Sequence, residues 1–510
     1  MGSEAEAPRR VRVAIVGSGF SGLGIAIGLK RAGIEDFVLF ERASDLGGTW
    51  RDNVYPGCQC DVPSHLYSFS FHPNPNWTRT YSMQREILDY LRDCAQQADV
   101  MEHIRFSHRV TSARWDDGES IWVIDTDRGT WVADVLIAAN GGLAEPAFPD
   151  IPGLDNFDGE IMHSAAWKPE IDLTGKRVAV VGTGASAIQI VPQLQPIVEK
   201  LHVFQRTPAW ILPHTDRPIK ERERNLYRRF PVLQKVVRRA VYMAREYLVL
   251  GMTRNRRFLR PLERLAKGHL ARQVGDRELR RLLRPRFSLG CKRILLSNRF
   301  YPAVASPNCE LITEAVSELR GCSIVGSAGT EREVDAVIFA TGFRVIDNPT
   351  TELVMGSGGV SLANHWREGG MRAYLGTTVD GFPNLFLMTG PNTGIGHTSL
   401  VVMIEAQIRY IVDALKTMSR LDLASVEVLP SAVTAFNDEL QDKMQDTVWT
   451  MGGCVSWYLD EHGRNPTLWP DFTWRFTRAT RRFDPAAYRL TRRVPQKEQA
   501  VRRTEEVRNS

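Results

Sequence analysis

This sequence predicts an α/β fold with two dinucleotide-binding units, one set into the other, and three observations predict it. An apolar strand at 11–16 runs into the glycine-rich turn Gly17-Ser18-Gly19-Phe20-Ser21-Gly22. The same pattern returns at 177–207, where Val178-Ala179-Val180-Val181 enters Gly182-Thr183-Gly184-Ala185-Ser186-Ala187. Two later apolar strands, 134–141 and 335–343, each end in a small-residue turn, as buried strands of a parallel sheet do.

In the first unit an apolar helix pattern follows the turn through Leu29, and a second strand, Phe37–Phe40, ends at Glu41. Each residue type answers a need of a bound pyrophosphate. Gly17 permits the tight turn, Gly19 lets backbone approach the phosphates, and Gly22 allows close helix–strand packing. The phosphates then meet the unpaired N–H groups of the helix N-terminus. Glu41, 19 residues past Gly22, can accept hydrogen bonds from ribose hydroxyls.

In the second unit Ala187 replaces the third glycine, at a position that only needs to be small. A helix and the strand 201–204 complete the unit. The equivalent of Glu41 is Arg206, whose guanidinium pairs bidentately with a 2′-phosphate. The first site therefore suits a dinucleotide with a free ribose and the second suits NADP.

Together they suggest an FAD domain interrupted by an NADP domain, two Rossmann-like units. We expect the first part of the FAD-binding domain at 8–150 and the NADP-binding domain at 151–330, with a helical insertion at about 215–290. The second part of the FAD-binding domain is expected at 331–490, with strand 335–343 as the return to it, and a disordered tail at 491–510.

Bulk properties agree with an enzyme of several domains. The 510 residues exceed what one core organises, and 43% hydrophobic with 24% charged residues is ordinary globular composition. No apolar run reaches the ~18–20 residues of a membrane span, and no signal-peptide apolar region is present, which points to the cytoplasm. Glu6 stands where a myristoylation signal needs Ser or Thr. Seven scattered cysteines argue against a disulfide framework or a zinc site, so no metal is expected. The net charge of +6 hides an asymmetry: residues 217–286 hold 22 basic and six acidic side chains, a net +16, against −10 elsewhere. Such a segment suits nucleic acid or a membrane surface, but the favoured reading is a solvated helical face beside an anionic cofactor. Nucleic acid is not expected as a partner, and a peripheral membrane contact through 217–286 stays open.

A flavoprotein with two nucleotide sites can be a disulfide reductase, a simple reductase or an oxygenase. The first needs a redox cysteine pair four residues apart. Here Cys58 and Cys60 are only two apart and no base flanks them, so a dithiol route is disfavoured.

At this point the sequence resembles the class B flavoprotein monooxygenases and, within them, the type I Baeyer–Villiger monooxygenases. Gly47-Gly48-Thr49-Trp50 through Tyr55-Pro56-Gly57 to Asp61 matches the family pattern GGxWxxxxYPGxxxD at every fixed position. Phe157, Gly159, His163 and Trp167 match FxGxxxHxxxW, although Lys168 intervenes before Pro169 where the family usually has Pro or Asp. Trp167 favours the Baeyer–Villiger branch over the N- and S-oxidising one.

The resemblance implies roles residue by residue. Gly48, Thr49, Trp50 and Tyr67 would contact the flavin. Asp61 would orient a catalytic arginine, Arg293, while Lys292, Arg206 and Thr207 would hold the NADP 2′-phosphate. Trp457 would reach the nicotinamide nucleotide, though the sequence after it departs from the loop of the cyclic-ketone enzymes. The implied reaction takes NADPH and O2 and turns a small-molecule ketone into an ester or lactone by way of a flavin peroxide. An anionic oxygen species needs a fixed cation that keeps its proton, which arginine provides. Oxidation of sulfides or amines, and an NADPH oxidase or reductase passing electrons to a partner, are the alternatives. His163 reads as a hinge residue between domains. The loop Gly390 to Ser399 precedes an apolar helix near Leu400, with its N–H groups aimed at the flavin pyrimidine. His397 within it faces either substrate or solvent.

Overall fold

In the computed structural model, which describes residues 7–493, two sheets carry the two expected units. The first sheet runs Val354–Met355, Val110–Asp116, Ile121–Thr126, Gly129–Ala138, Arg9–Val16, Phe37–Phe40, Ile104–Arg105, with Leu385–Leu387 beside Gly129–Ala138. Its centre is parallel: Arg9–Val16 pairs with Phe37–Phe40 on one side and Gly129–Ala138 on the other. Helix Phe20–Arg31 packs on helix Leu400–Arg420. The close approach is possible because Gly24 and Gly28 leave room for Ile408, which a Cβ at either would meet within 3 Å. Val13, Ile15, Leu23 and Leu39, all fully buried, form the core beneath them.

The second sheet is parallel throughout, in the order Cys309–Ile312, Lys200–Phe204, Arg177–Val181, Ala336–Phe339, Glu160–His163. This corrects one expectation. The strand at 335–343 does not return the chain to the first sheet; Ala336–Phe339 lies between Arg177–Val181 and Glu160–His163 in the second. The first sheet is regained only at Val354–Met355 and Leu385–Leu387, so the boundary at 330/331 falls too early. A wholly apolar four-residue strand suits the centre of either parallel sheet, and sequence patterning carries no record of which neighbours it will have.

The basic segment folds as expected into helices Glu221–Arg229, Pro231–Glu246, Arg260–Gln273 and Arg277–Leu282. Short parallel strands, Ile211–Leu212 and Leu295–Leu296, close the insertion at its base. Among the described residues no helix is long and apolar enough to cross a membrane. Nearly all of the tail expected at 491–510 lies outside the described residues.

The cysteine expectation needs a second correction. Cys291 and Cys454, 163 residues apart, form a disulfide, while Cys58, Cys60, Cys94, Cys309 and Cys322 stay free. Residues so distant carry no spacing signal, and only the packing of the insertion on the C-terminal part brings them together.

Candidate active site

The first turn is shaped by backbone contact. Gly17 adopts φ +100°, and a Cβ on Gly22 would fall 1.7 Å from the Gly17 carbonyl oxygen, so only glycine lets helix Phe20–Arg31 seat against the strand. Gly48, at φ +52°, approaches Gly19 so closely that a Cβ on it would lie 3.1 Å from the Gly19 Cα. Two glycine turns thus face each other without side chains, leaving bare backbone N–H groups for a pyrophosphate. Glu41 is buried at the end of strand Phe37–Phe40. Its carboxylate accepts from Ser18 N at 3.1 Å and Ser18 Oγ at 2.6 Å and pairs with Arg51 at 2.9 Å. Thr49 opens the short helix Thr49–Asp52, and the buried Trp50 donates from Nε1 to Tyr67 Oη at 2.9 Å. The Tyr67 ring stands edge-on to Phe20 at 5.0 Å. The motif residues therefore converge on the first turn.

The second turn repeats the design with a different exit. Gly182 has φ +113°, and Gly184 opens onto free space. Thr183 Oγ1 donates to the Thr207 carbonyl at 3.0 Å, fixing the strand end beside the turn. Ala185 is exposed, and Ser186 immediately precedes helix Ala187–Leu194. Arg206 lies exposed past strand Lys200–Phe204, and Lys292 comes close enough to feel its charge. Burial, with the added repulsion of Arg206, lowers the Lys292 pKa from its ordinary value. Two like charges held together with no acidic partner among the described residues suit an anion.

The units are joined where Asp61 meets Arg293. Arg293 Nε donates to Asp61 Oδ2 and Nη2 to Oδ1, both at 2.6 Å, a bidentate pair between residues 232 apart. The side chains remain 40% and 26% exposed. Burial opposes the Asp61 charge, but Arg293, aided by Arg245, outweighs it and holds the carboxyl below its usual range. The attraction of Asp61 in turn raises the Arg293 pKa, so the guanidinium is permanently charged.

Arg245 and Tyr458 were not singled out in the sequence. Tyr458 is buried within reach of both charges of the pair, and burial raises its pKa. Arg245 projects from helix Pro231–Glu246, donating to Tyr81 Oη at 3.2 Å. Its only sequence signal was membership of the basic segment. Trp457 is not gathered into the cluster: it is 52% exposed, with its ring 4.5 Å from that of Tyr458.

Further bonds hold the FAD-side motif to the second unit. Tyr55 Oη donates to Gln189 Oε1 at 3.0 Å, and Gln189 Nε2 returns a bond to the Gln59 carbonyl at 2.9 Å. His163 is wholly buried at the end of strand Glu160–His163, with Phe148 and Phe343 against its ring. Its Nδ1 accepts from Ala165 N at 3.0 Å, and burial lowers its pKa to about 4. It is therefore a neutral, buried residue at the end of an edge strand of the second sheet. The helix at Leu400 begins as expected, capped by Ser399 accepting from Val401 N. His397 corrects the thought of a solvent-facing side chain. It is buried with Nε2 3.8 Å from Glu246 Oε1, and neither ring nitrogen has a partner within hydrogen-bonding distance. Glu246 accepts from Thr473 N at 3.0 Å and from Thr473 Oγ1. Burial opposes its charge, but His397 and Thr473 prevail and lower the pKa.

Comparison with known proteins places this geometry. The family model described as flavin-binding monooxygenase-like matches residues 10–354. A "Baeyer-Villiger monooxygenase" of Streptomyces coelicolor is 48% identical over 97% of this chain and 95% of its own length. The NADP+-bound cyclohexanone monooxygenase of Rhodococcus sp. Phi1 superposes with a TM-score of 0.83 over 96% of this chain and all of that one, at 28% identity. A cyclohexanone monooxygenase with bound ε-caprolactone gives a TM-score of 0.81 over 95% of this chain and all of that one, at 26% identity.

Proposed function

The chain belongs to the flavin-binding monooxygenase-like family and to its Baeyer–Villiger members, and from that premise we propose that Arg293, oriented by Asp61, is the group on which its oxygen insertion depends. The protein is an FAD- and NADPH-dependent monooxygenase that converts ketones to esters or lactones. One oxygen atom of O2 enters beside the carbonyl and the other leaves as water, with NADPH oxidised to NADP+. Bound FAD, reduced by NADPH, supplies the activation of O2 that this insertion needs.

The chain's own residues bind, orient and stabilise. Gly19 and Gly48 offer backbone N–H groups to the FAD pyrophosphate, Gly17 and Gly22 shape the turn that holds it, and Glu41 accepts from the ribose. Thr49, Trp50 and Tyr67 contact the flavin. Gly182, Thr183, Gly184, Ala185 and Ser186 serve the NADP pyrophosphate, while Arg206, Thr207 and Lys292 take the 2′-phosphate. Trp457 meets the nicotinamide nucleotide. When oxygen adds to the ketone, the carbonyl oxygen gains negative charge. Arg293 faces that charge without losing a proton, and Asp61 prevents the guanidinium from turning away.

The bidentate Asp61–Arg293 pair, made across the two units, carries this reading. The test is NADPH consumption with linear, cyclic and aryl ketones, with products identified by mass. Ester or lactone in proportion to NADPH is the expected result. NADPH oxidation that yields only hydrogen peroxide with every ketone would overturn it.

A further inference from the structure

The second helix of the insertion, Pro231–Glu246, faces inward with Gln234, Arg238 and Glu246 beside the core-packed Val241 and Tyr242, and carries a second apolar stripe on its solvent side. Gln234, buried, donates from Nε2 to the Asn74 carbonyl at 2.6 Å. Arg238 donates to the His65 and Ser68 carbonyls, each at 2.8 Å, and Glu246 is the buried partner of Thr473. These contacts fix which face points inward. A surface helix of a globular protein ordinarily keeps charged and polar residues on its outer face.

The outward stripe is Val232, Val236, Met243 and Tyr247, each between 54% and 68% exposed. The spacing of four, seven and four residues puts them on one helical face. Leu226, Phe230 and Leu233 extend the stripe at its start. At its end the exposed Phe258 meets the Tyr247 ring edge-on at 6.2 Å. Cations border it: Arg229, Lys235 and Arg239 are exposed and have no acidic partner among the described residues. No Asp or Glu occurs from 224 to 245.

Apolar side chains beside unpaired cations match a surface that is oily below and anionic above. We propose that this face of Pro231–Glu246 rests on an anionic lipid bilayer, with the helix parallel to the membrane plane and its apolar stripe at the boundary between headgroups and acyl chains. A second copy of the chain is the weaker occupant. A two-fold contact sets a patch against itself, which here would bring the same cations together with no acidic side chain among them.

The test uses the flavin-loaded enzyme and co-sedimentation with vesicles of phosphatidylcholine alone or an equimolar mixture with phosphatidylglycerol. The enzyme should pellet with the mixed vesicles, less as salt is added, and little with phosphatidylcholine alone. Val236→Glu with Met243→Glu should lower partitioning by roughly tenfold or more, with ketone turnover in solution unchanged. Lys235→Glu with Arg239→Glu should do the same on mixed vesicles, and decides the matter if the first variant does not fold. Wild-type enzyme that stays in the supernatant with both vesicle types refutes the proposal. Equal pelleting of wild type and a folded variant refutes it also. Dimers in solution that the Val236/Met243 variant converts to monomers, without vesicle binding, would assign the face to a second copy instead.

Discussion

The disulfide between Cys291 and Cys454 joins the segment that carries Arg293 to the segment that carries Trp457 and Tyr458. Arg293 is two residues from one sulfur and Tyr458 four from the other, and the two side chains sense each other electrostatically. The insertion and the C-terminal part of the chain are thus locked together beside Arg293. Gly452 belongs to this contact: its carbonyl accepts from Ser288 N at 2.9 Å, and a Cβ on it would strike Cys291.

Replacing both cysteines by serine should lower stability by about 2–4 kcal/mol, the usual range for removing a cross-link. Urea unfolding of the two proteins measures it. The variant should also show a higher KM for NADPH, because Lys292 is anchored by the same segment. Unchanged midpoints would show that the bond adds nothing to the folded state.

Arg293→Ala should reduce ester formation by ~10²–10³ while leaving flavin bound, as for other groups that stabilise a developing oxyanion. Asp61→Asn keeps the shape but weakens the hold on the guanidinium, so its loss should be smaller. Product yield per NADPH, with flavin content from the visible spectrum, separates the two effects. Normal ester yield from Arg293→Ala would remove that residue from the chemistry.

Arg206→Ala and Lys292→Ala should each raise the KM for NADPH by roughly 10- to 100-fold, the worth of a charge-assisted hydrogen bond. The KM for NADH should change little, since NADH has no 2′-phosphate. Equal changes for both coenzymes would place the phosphate elsewhere.

The pH dependence of stability follows from His163 and His65, whose pKa values burial lowers to about 4. An unfolded histidine titrates near 6.5, so between about 4 and 6.5 the unfolded chain binds protons that the folded one refuses. Stability is therefore complete above about 6.5 and falls with acidification, by up to roughly 1.4 kcal/mol per pH unit for each histidine. His163→Asn should flatten the slope in that window. Denaturation midpoints from pH 7 to pH 4.5 test this, and an unaltered slope would mean that His163 does not contribute.

Glu246→Ala should destabilise the helical insertion by about 1–3 kcal/mol, the cost of leaving a buried donor such as Thr473 N without its acceptor. Because His397 sits in the loop that caps Leu400–Arg420, FAD should also dissociate faster. Flavin fluorescence on dilution reads the second effect and thermal unfolding the first.

Much of the site was legible because its signals are local. The turns at Gly17 and Gly182 depend on residues at fixed short offsets, and so does the contrast between Glu41 and Arg206. The cap at Ser399 and the motif from Gly47 to Asp61 also lie within single stretches of chain. The residues that helix Pro231–Glu246 adds near the site were not legible in the same way. Arg245 lay among 22 basic residues with nothing to set it apart, and Glu246 looked like one more solvated acid. Both gained partners only when helix Pro231–Glu246 packed against the rest of the chain.

By itself, then, the sequence determined two nucleotide-binding turns, the preference of each and the family motifs, since backbone conformation and short-range spacing govern them. Tertiary structure decided that strand Ala336–Phe339 joins the second sheet, that Cys291 bonds to Cys454, and that Arg245 comes near Asp61 from the basic insertion. Those outcomes depend on which buried surfaces meet, and burial rewards any apolar or oppositely charged neighbour without regard to its distance along the chain.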